Sequence, residues 1–386
     1  MIQNNIFMNQ HRKDEEHDDG MQCNQDKHHQ HSSILIDCSE GKGLDMYLCV
    51  LSSTPDDPND KPYDPSPHMN GFKWKHHPMQ PRAVEKQIRD LMNEGVDVFF
   101  NLCDGTPDDA LSGIGLVQVM EKLGAAFTGA DSKFFDPSRQ EMKAYAKKAN
   151  VPTPGWVMVD RVEDVERVAK RLHFPVLVKP PHGYASVGIT RDSRCETVDQ
   201  LKVQVAREIQ QFGRALLEEF IEGREFTCLI AENPDDENSP VTFKPVEFIF
   251  PNGESFKHYD MKWVDYERMS VAPVNDKRIE KTLREQTAHL FKAMDGNGYA
   301  RCDYRMSADG TIYMLEINPN CGIFYSPEEP GSADFSLLND AVYNHNKFLK
   351  LIIRSAQKRQ SAMLAARMAR KQLKKQRVEV EQMAYS

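Results

Sequence analysis

The chain lacks the marks of several functional classes, and each absence narrows the reading. Its eight cysteines include no C-x-x-C pair and are scattered along 386 residues. That spacing argues against a zinc site or a disulfide framework and for reduced thiols in a cytosol. No apolar run approaches the roughly 18–20 residues needed to span a bilayer. The opening MIQNNIFMNQHRKDEEHDDG has no basic n-region and no apolar core, so no secretory signal is expected and the expected location is cytoplasmic. A net charge of −9 argues against a general nucleic-acid-binding surface, though not against a local basic patch. There is neither a G-x-x-x-x-G-K-S/T loop nor a G-x-G-x-x-G fingerprint, so bound phosphates would have to be held another way.

What is present is ordinary for a soluble globular protein, at 40% hydrophobic and 28% charged residues, with length for two or three compact units. Residues 1–33 are rich in Asn, Gln, Asp and His and read as a disordered tail. His28, His29 and His31 could bind a metal, but no partner ligands stand at a defined spacing, and a polar tract is the better reading. A strand is expected over residues 46–51, then a long Pro/Asp/His loop over 53–81 that either shapes a substrate site or is disordered. A helix over 82–93, a buried strand over 96–102 (VDVFFNL) and a helix over 113–123 complete a small parallel α/β unit. From Asp136 a second unit follows: a helix over 139–149, strands over 156–159 and 174–180 flanking a helix over 164–172, a small-residue loop over 181–188, and strands over 215–221 and 225–231 around Glu222-Gly223. A third unit starts near residue 240 and holds an amphipathic helix over 277–294, with Ile279, Leu283, Leu290 and Met294 on its apolar face. The expected boundaries are a tail over 1–44, an N-terminal α/β domain over 45–135, a central unit over 136–215, a C-terminal unit over 216–350 and a basic helical tail over 351–386.

The most informative stretch is residues 299–320, YARCDYRMSADGTIYMLEINPN. Two alternating runs flank Asp309-Gly310, the strongest short-range hairpin signal. With that dipeptide as the turn, Asp303 stands opposite Glu316 and Arg301 opposite Asn318, all on one face. Two carboxylates and an amide oxygen are hard ligands suited to Mg²⁺, and a neighbouring arginine can hold an anion. A surface hairpin with a cross-strand salt bridge fits equally well, and a bulge or a three-residue loop would shift the register.

Upstream, Lys179 ends a buried strand just before Gly183, Ser186 and Gly188, where backbone N–H groups can approach phosphate oxygens. In the strand pair that follows, Glu218 can accept from a purine amine and Glu225 from ribose hydroxyls. Each feature alone is ordinary; their joint order is not.

In that order the chain resembles the ATP-grasp superfamily, and within it the D-alanine–D-alanine ligase-like branch. The resemblance covers roughly residues 96–325 and rests on FNLCDG (100–105), FPVLVKPPHGYASVG (174–188), LLEEFIEGREFT (216–227), YDMKW (259–263) and RCDYRMSADGTIYMLEINPNCG (301–322). It implies an α/β fold, α+β in the ATP-binding units: an ATP-grasp fold behind an N-terminal parallel α/β pre-ATP-grasp domain. The implied activity is phosphorylation of a carboxylate by ATP and attack of an amine on the acyl phosphate, with Mg²⁺ or Mn²⁺ as cofactor. Lys179 is implied as a phosphate contact, with Tyr184, Ala185 and Ser186 in the loop closing over the phosphates. Glu218, Phe220 and Ile221 are implied on the adenine side, Glu225 at the ribose, and Glu219 and Leu315 as further nucleotide-binding residues. Lys262 is implied at the γ-phosphate, Asp303, Glu316 and Asn318 as metal ligands, and Arg301 with the Gly322 N–H at the acyl-phosphate and tetrahedral oxygen. Either Arg139 or Lys143 takes the place of a further phosphate-binding lysine.

Four departures cluster on or near the acceptor side. They are Arg139 itself, Asp104 where the ligases carry a histidine, Ser-Ser-Thr-Pro-Asp after the first strand, and Ile-Phe-Tyr-Ser-Pro after Gly322. The resemblance therefore implies the chemistry and not D-alanine as the substrate. Cys321 is expected to fill space rather than react, and among the histidines at 76, 77 and 182 only His182 is placed to matter. Residues 347–377 carry 11 Lys/Arg and no Asp or Glu. Such a helix either docks on the acidic body, stands solvated, or binds an acidic partner, an anionic membrane or nucleic acid. The expected partners are small carboxylate and amine substrates, with a homodimer implied by the resemblance. The rival readings are an ATP-grasp kinase, whose basic acceptor residues would be Lys75, His76 and His77, and a nucleotide-binding scaffold without turnover.

Overall fold

A computed structural model describes residues 46–53, 64–105, 111, 113–182, 186, 188–251, 254–256 and 269–384; the polar tail with His28, His29 and His31 lies outside them. The first sheet is parallel, in the order β2-β1-β3, from β1 (Tyr47–Ser53), β2 (Lys73–Met79) and β3 (Val98–Asn101), with α1 (Val84–Asn93) between β2 and β3 and α2 (Gly113–Leu123) after β3. Residues 48–51 of the central strand are fully buried, which is why LCVL reads as an unbroken apolar run rather than an alternation. The loop expected over residues 53–81 contains β2. Its sequence KWKHHPM gives little apolar signal because the strand is paired on one side only and mostly half-exposed, and an edge position also accommodates Pro78.

The second sheet is antiparallel, in the order β4-β7-β5-β6, from β4 (Trp156–Val159), β5 (Val176–Lys179), β6 (Arg194–Cys195) and β7 (Ala215–Glu219). It follows α3 (Arg139–Lys148), which opens on a capping box between Ser138 and Glu141. The helix expected over 164–172 is shorter, α4 (Val165–Ala169) behind a 3₁₀ turn. An unexpected helix, α5 (Val198–Phe212), is capped by Thr197 and stopped by Gly213 at φ +77°; four β-branched residues within VDQLKVQVAREIQQF dilute its helical signal.

The third sheet runs β11-β10-β8-β12-β13 with β9 on β8. Its strands are β8 (Arg224–Ala231), β9 (Val241–Thr242), β10 (Val246–Ile249), β11 (Ser270–Pro273), β12 (Tyr299–Met306) and β13 (Ile312–Pro319), and α6 (Lys277–Ala293) lies between β11 and β12. The strands either side of Glu222-Gly223 are therefore not a hairpin. β7 belongs to the second sheet, past the expected boundary at residue 215, and β8 to the third. Gly223 carries the crossing at φ +136°, where an added Cβ would lie 2.1 Å from the Met306 carbonyl oxygen.

After α7 (Ser332–Leu338), the basic helix α8 (His345–Ala384) closes the chain. It starts before the expected tail, and Phe348, Leu349, Leu351, Ile352, Ile353 and Ala356 are buried. They share one core with Leu48 and Val50 of β1, Phe100 of β3, and Leu229 and Tyr299 of the third sheet. The first turns of α8 thus weld the parallel sheet to the large one. The stretch from residue 361 to 377 is largely exposed.

Phe348 meets the rings of Phe243 and Tyr299 edge-on, at centroid distances of 5.2 and 5.6 Å. Phe348→Ala is expected to cost about 3–5 kcal/mol by urea denaturation, and Met368→Ala, on the exposed part of the same helix, less than about 0.5 kcal/mol. Equal effects would mean that α8 is not split between core and surface.

Candidate active site

The site is built on the β12–β13 hairpin. Ser307 and Thr311 pair across its tip, so the loop is Ala308-Asp309-Gly310, with Gly310 at φ +86°, one residue longer than a turn at Asp309-Gly310 alone. Near the loop the register is displaced by one: Met306 faces Ile312 and Tyr304 faces Met314. A bulge at Leu315 then restores it, so that Asp303 faces Glu316 and Arg301 faces Asn318.

The four side chains converge. Arg301 donates from Nε and Nη2 to the two oxygens of Asp303, each at 2.9 Å. Thr227 of β8 donates to Asp303 Oδ1 at 2.6 Å. Asn318 Nδ2 donates to Asp303 Oδ2 at 3.3 Å and to Glu316 Oε1 at 3.4 Å. Burial opposes the Arg301 charge, but Asp303 outweighs it and raises the guanidinium pKa. A half-turn of the Asn318 amide would present Oδ1 in place of the NH₂ group.

A second cluster faces the hairpin from α3, β5 and β7. Lys143 on α3 and Lys179 at the end of β5 each pair with one oxygen of Glu218 on β7. All three are at least 95% buried. Lys143 Nζ also donates to the Leu315 carbonyl, the bulge itself, at 2.9 Å. Arg139, one turn earlier, donates to the Pro180 and His182 carbonyls at 2.9 and 2.8 Å, and its Nη2 lies 3.4 Å from Glu316 Oε2. Burial acts to raise the Glu218 pKa, yet the two ammonium groups prevail and hold it at about 2. At Lys143 burial prevails instead and pulls the pKa down. The opposite outcomes have one cause: two lysines share a single carboxylate, which is overcompensated while they are not.

The strand expected to flank adenine is partly committed to other contacts. Both Glu218 oxygens are on lysines rather than free for an exocyclic amine. Glu219, on the other face of β7, accepts from Gly155 N at 3.1 Å and His173 N at 2.9 Å. The Phe220 N–H donates to Pro175 O at 2.8 Å. Arg305 donates to the Ile221, Gly223 and Ser255 carbonyls at 2.6, 2.9 and 2.7 Å, and pairs with Glu225 Oε2 at 3.0 Å. Its guanidinium and that of Arg194 lie 4.6 Å from the Phe220 ring centroid. Sequence reasoning missed Arg305, although the signal was there: it follows Arg301 and Asp303 at the same two-residue spacing on one strand face.

Ser186 sits at φ +61°, and Tyr184, Ala185 and Lys262 lie outside the described residues. Cys321 is buried in the core with Val50 and Phe100, where burial raises its thiol pKa to about 12, in keeping with a space-filling role. Of the histidines, His182 serves through its carbonyl on Arg139. His76 Nε2 lies 2.8 Å from Ser52 Oγ and His77 Nε2 3.2 Å from Gln87 Oε1. Ser52, like Asp104 beyond β3, stands at the carboxyl-terminal edge of the parallel sheet, where α/β folds receive ligands.

A family model described as "D-ala D-ala ligase C-terminus" matches residues 145–335. The chain is 26% identical over 245 residues to D-alanine–D-alanine ligase B of Chromobacterium violaceum, covering 62% of this chain and 75% of that protein. It is 28% identical over 239 residues to the D-alanine–D-alanine ligase of Geobacillus thermodenitrificans, covering 58% of this chain and 61% of that protein. Among solved structures, the D-alanine–D-alanine ligase from Bacillus anthracis complexed with ATP superposes with a TM-score of 0.63 at 16% identity, over 82% of this chain and 99% of that one. The VanG D-Ala:D-Ser ligase from Enterococcus faecalis gives 0.59 at 16% identity, over 81% and 99%. At that identity the structural likeness establishes an ATP-grasp fold.

Glu218→Gln leaves two buried ammonium groups without their counter-charge and is expected to cost about 3–5 kcal/mol at pH 7. A glutamate of ordinary pKa 4.5 held at about 2 in the fold stabilises fully above 4.5 and loses that contribution as pH falls toward 2. The gap between wild type and variant in urea melts should therefore narrow across that acid window. A gap independent of pH would refute the charge argument.

Proposed function

Because the chain belongs to the ATP-grasp superfamily, on its D-alanine–D-alanine ligase-like branch, we propose that it joins an amino acid or related small carboxylate to an amine at the expense of ATP. One observation carries this reading. A buried surplus of cations (Arg139, Lys143 and Lys179) faces a hairpin surface bearing Asp303 and Glu316. Two lysines on Glu218 and Arg139 beside Glu316 are three cations against two carboxylates, which leaves room for a polyanion, and the adjacent Asp303 and Glu316 leave room for a cation that would bridge to it.

The donor set fits Mg²⁺ or Mn²⁺: Asp303 and Glu316 would hold it, with Asn318 through its amide oxygen. When bound, the metal would neutralise charge on the transferred phosphoryl group. Lys143 and Lys179 would hold the nucleotide phosphates, and Arg139 would keep Glu316 aimed at the metal. A substrate carboxylate oxygen takes the γ-phosphoryl group and ADP leaves. The amine then attacks the acyl carbon, inorganic phosphate leaves, and the nitrogen loses a proton. Arg301, fixed by its two bonds to Asp303, and the Gly322 N–H would stabilise the developing oxyanion. In the same reading Lys262 reaches the γ-phosphate, Ser186 belongs to the closing loop, Phe220 and Ile221 flank the adenine, and the enzyme is a homodimer.

The kinase alternative lacks support. Lys75 is paired with Glu94, and His76 and His77 turn to different partners, so no basic acceptor cluster forms there.

Purified protein with ATP and Mg²⁺ should release ADP and yield a product of amide mass from pools of amino acids. Glu316→Gln should lower turnover by about 10²-fold or more, the scale of removing one charge-stabilising group. ADP release without an amide product would indicate a kinase, and full activity of the variant would refute the metal assignment.

A further inference from the structure

The loop after β13 is one of the four departures read from the sequence, and it is tightly built. Asp334, 1% exposed, gathers it. Its Oδ1 accepts from Phe324 N at 2.8 Å and lies 2.8 Å from His345 Nε2, and its Oδ2 accepts from Tyr325 N at 3.3 Å and Gly331 N at 2.9 Å. His68 Nε2 lies 2.7 Å from the Tyr325 carbonyl oxygen. Phe324 is held at φ +65°, an uncommon conformation for a bulky residue, with its ring fully buried among Phe100, His68 and His345.

This frame fixes the next side chain, Tyr325, between two glycines. A methyl group on Gly322 would lie 2.5 Å from the Tyr325 hydroxyl, and one on Gly331 2.5 Å from its Cδ2. The ring therefore rests on the backbone that supplies the Gly322 N–H. Although 40% of the residue is exposed, its hydroxyl lies against the Gly322 backbone, and burial there raises its pKa to about 12. The same residue lines a cavity of about 310 Å³ with Pro67, His68, Pro327, Leu338 and His345. One aromatic ring thus stands between the acyl-transfer corner and an open, mainly apolar space.

We propose that Tyr325 is the specificity-determining wall of the amine-substrate site: its ring restricts the space beside Gly322 to amines with small substituents and shuts off the cavity behind. The inference rests on the ligase reading. Large substituents on the amine meet the ring; removing the ring joins the cavity to the site.

The test is kcat/KM for wild type, Tyr325→Phe, Tyr325→Leu and Tyr325→Ala with one carboxylate donor and a panel of amines: glycine and both enantiomers of alanine, leucine and phenylalanine. Wild type and Tyr325→Phe should rank small amines first. Tyr325→Ala should raise leucine or phenylalanine relative to alanine by about tenfold or more, the scale of a pocket-size change, chiefly through KM. Tyr325→Leu should do so in part, and carries the test if the alanine variant does not fold. An unchanged ranking in the folded small variants, or a changed ranking in Tyr325→Phe, overturns the wall. ADP release by wild type that no amine stimulates overturns the ligase reading and this inference with it.

Discussion

One carboxylate shared by two buried lysines is the constraint on which the site depends. Glu218 lies on the second sheet, and so does Lys179, while Lys143 comes from α3 and reaches the bulge of β13 in the third sheet. Arg139 adds a crossing from the carbonyls after β5 to Glu316. The two sheets that would enclose a nucleotide are thus joined by ions rather than by apolar packing alone. An arrangement with more cations than anions in a desolvated space is costly when empty. A polyanion would complete it, which is the ground for proposing the phosphate site at this seam rather than at a glycine-rich loop.

The proposed metal-binding face depends on a second feature, the bulge. A three-residue tip and an extra residue at Leu315 displace the register in opposite senses, and the offsets cancel at Asp303 and Glu316. The alignment read from Asp309-Gly310 as a two-residue turn holds at the residues that matter, for a reason more involved than the turn. The bulge has its own use. It stands beside Glu316, and the carbonyl of its extra residue receives Lys143, coupling the cation cluster to the carboxylate pair.

Around this centre, charge and apolar packing divide the work. The first turns of α8 bury Phe348, Ile352 and Ile353 between the parallel sheet and the large sheet. They set the distance between the edge bearing Asp104 and the hairpin bearing Arg301. Asp334 does the same for the loop after Gly322 by polar means, accepting three backbone N–H groups at once. Both devices position the region proposed as the acceptor side.

The sequence alone determined the elements with strong local signals: the buried LCVL strand, the amphipathic helix α6, and the alternation that puts Arg301, Asp303, Glu316 and Asn318 on one face. Those follow from periodicity, which is a property of neighbouring residues. Only the tertiary structure decided that β2 is an edge strand, that Gly223 turns β7 and β8 into different sheets, and that α8 begins as core. It also decided that Glu218 belongs to Lys143 and Lys179 and that Arg305 holds Glu225. In each case the deciding partner is far away in the chain: 75 residues separate Lys143 from Glu218, and 80 separate Glu225 from Arg305. A local pattern records which face a side chain takes; the partner that meets that face, and so the charge it must balance, is set by how the sheets come together.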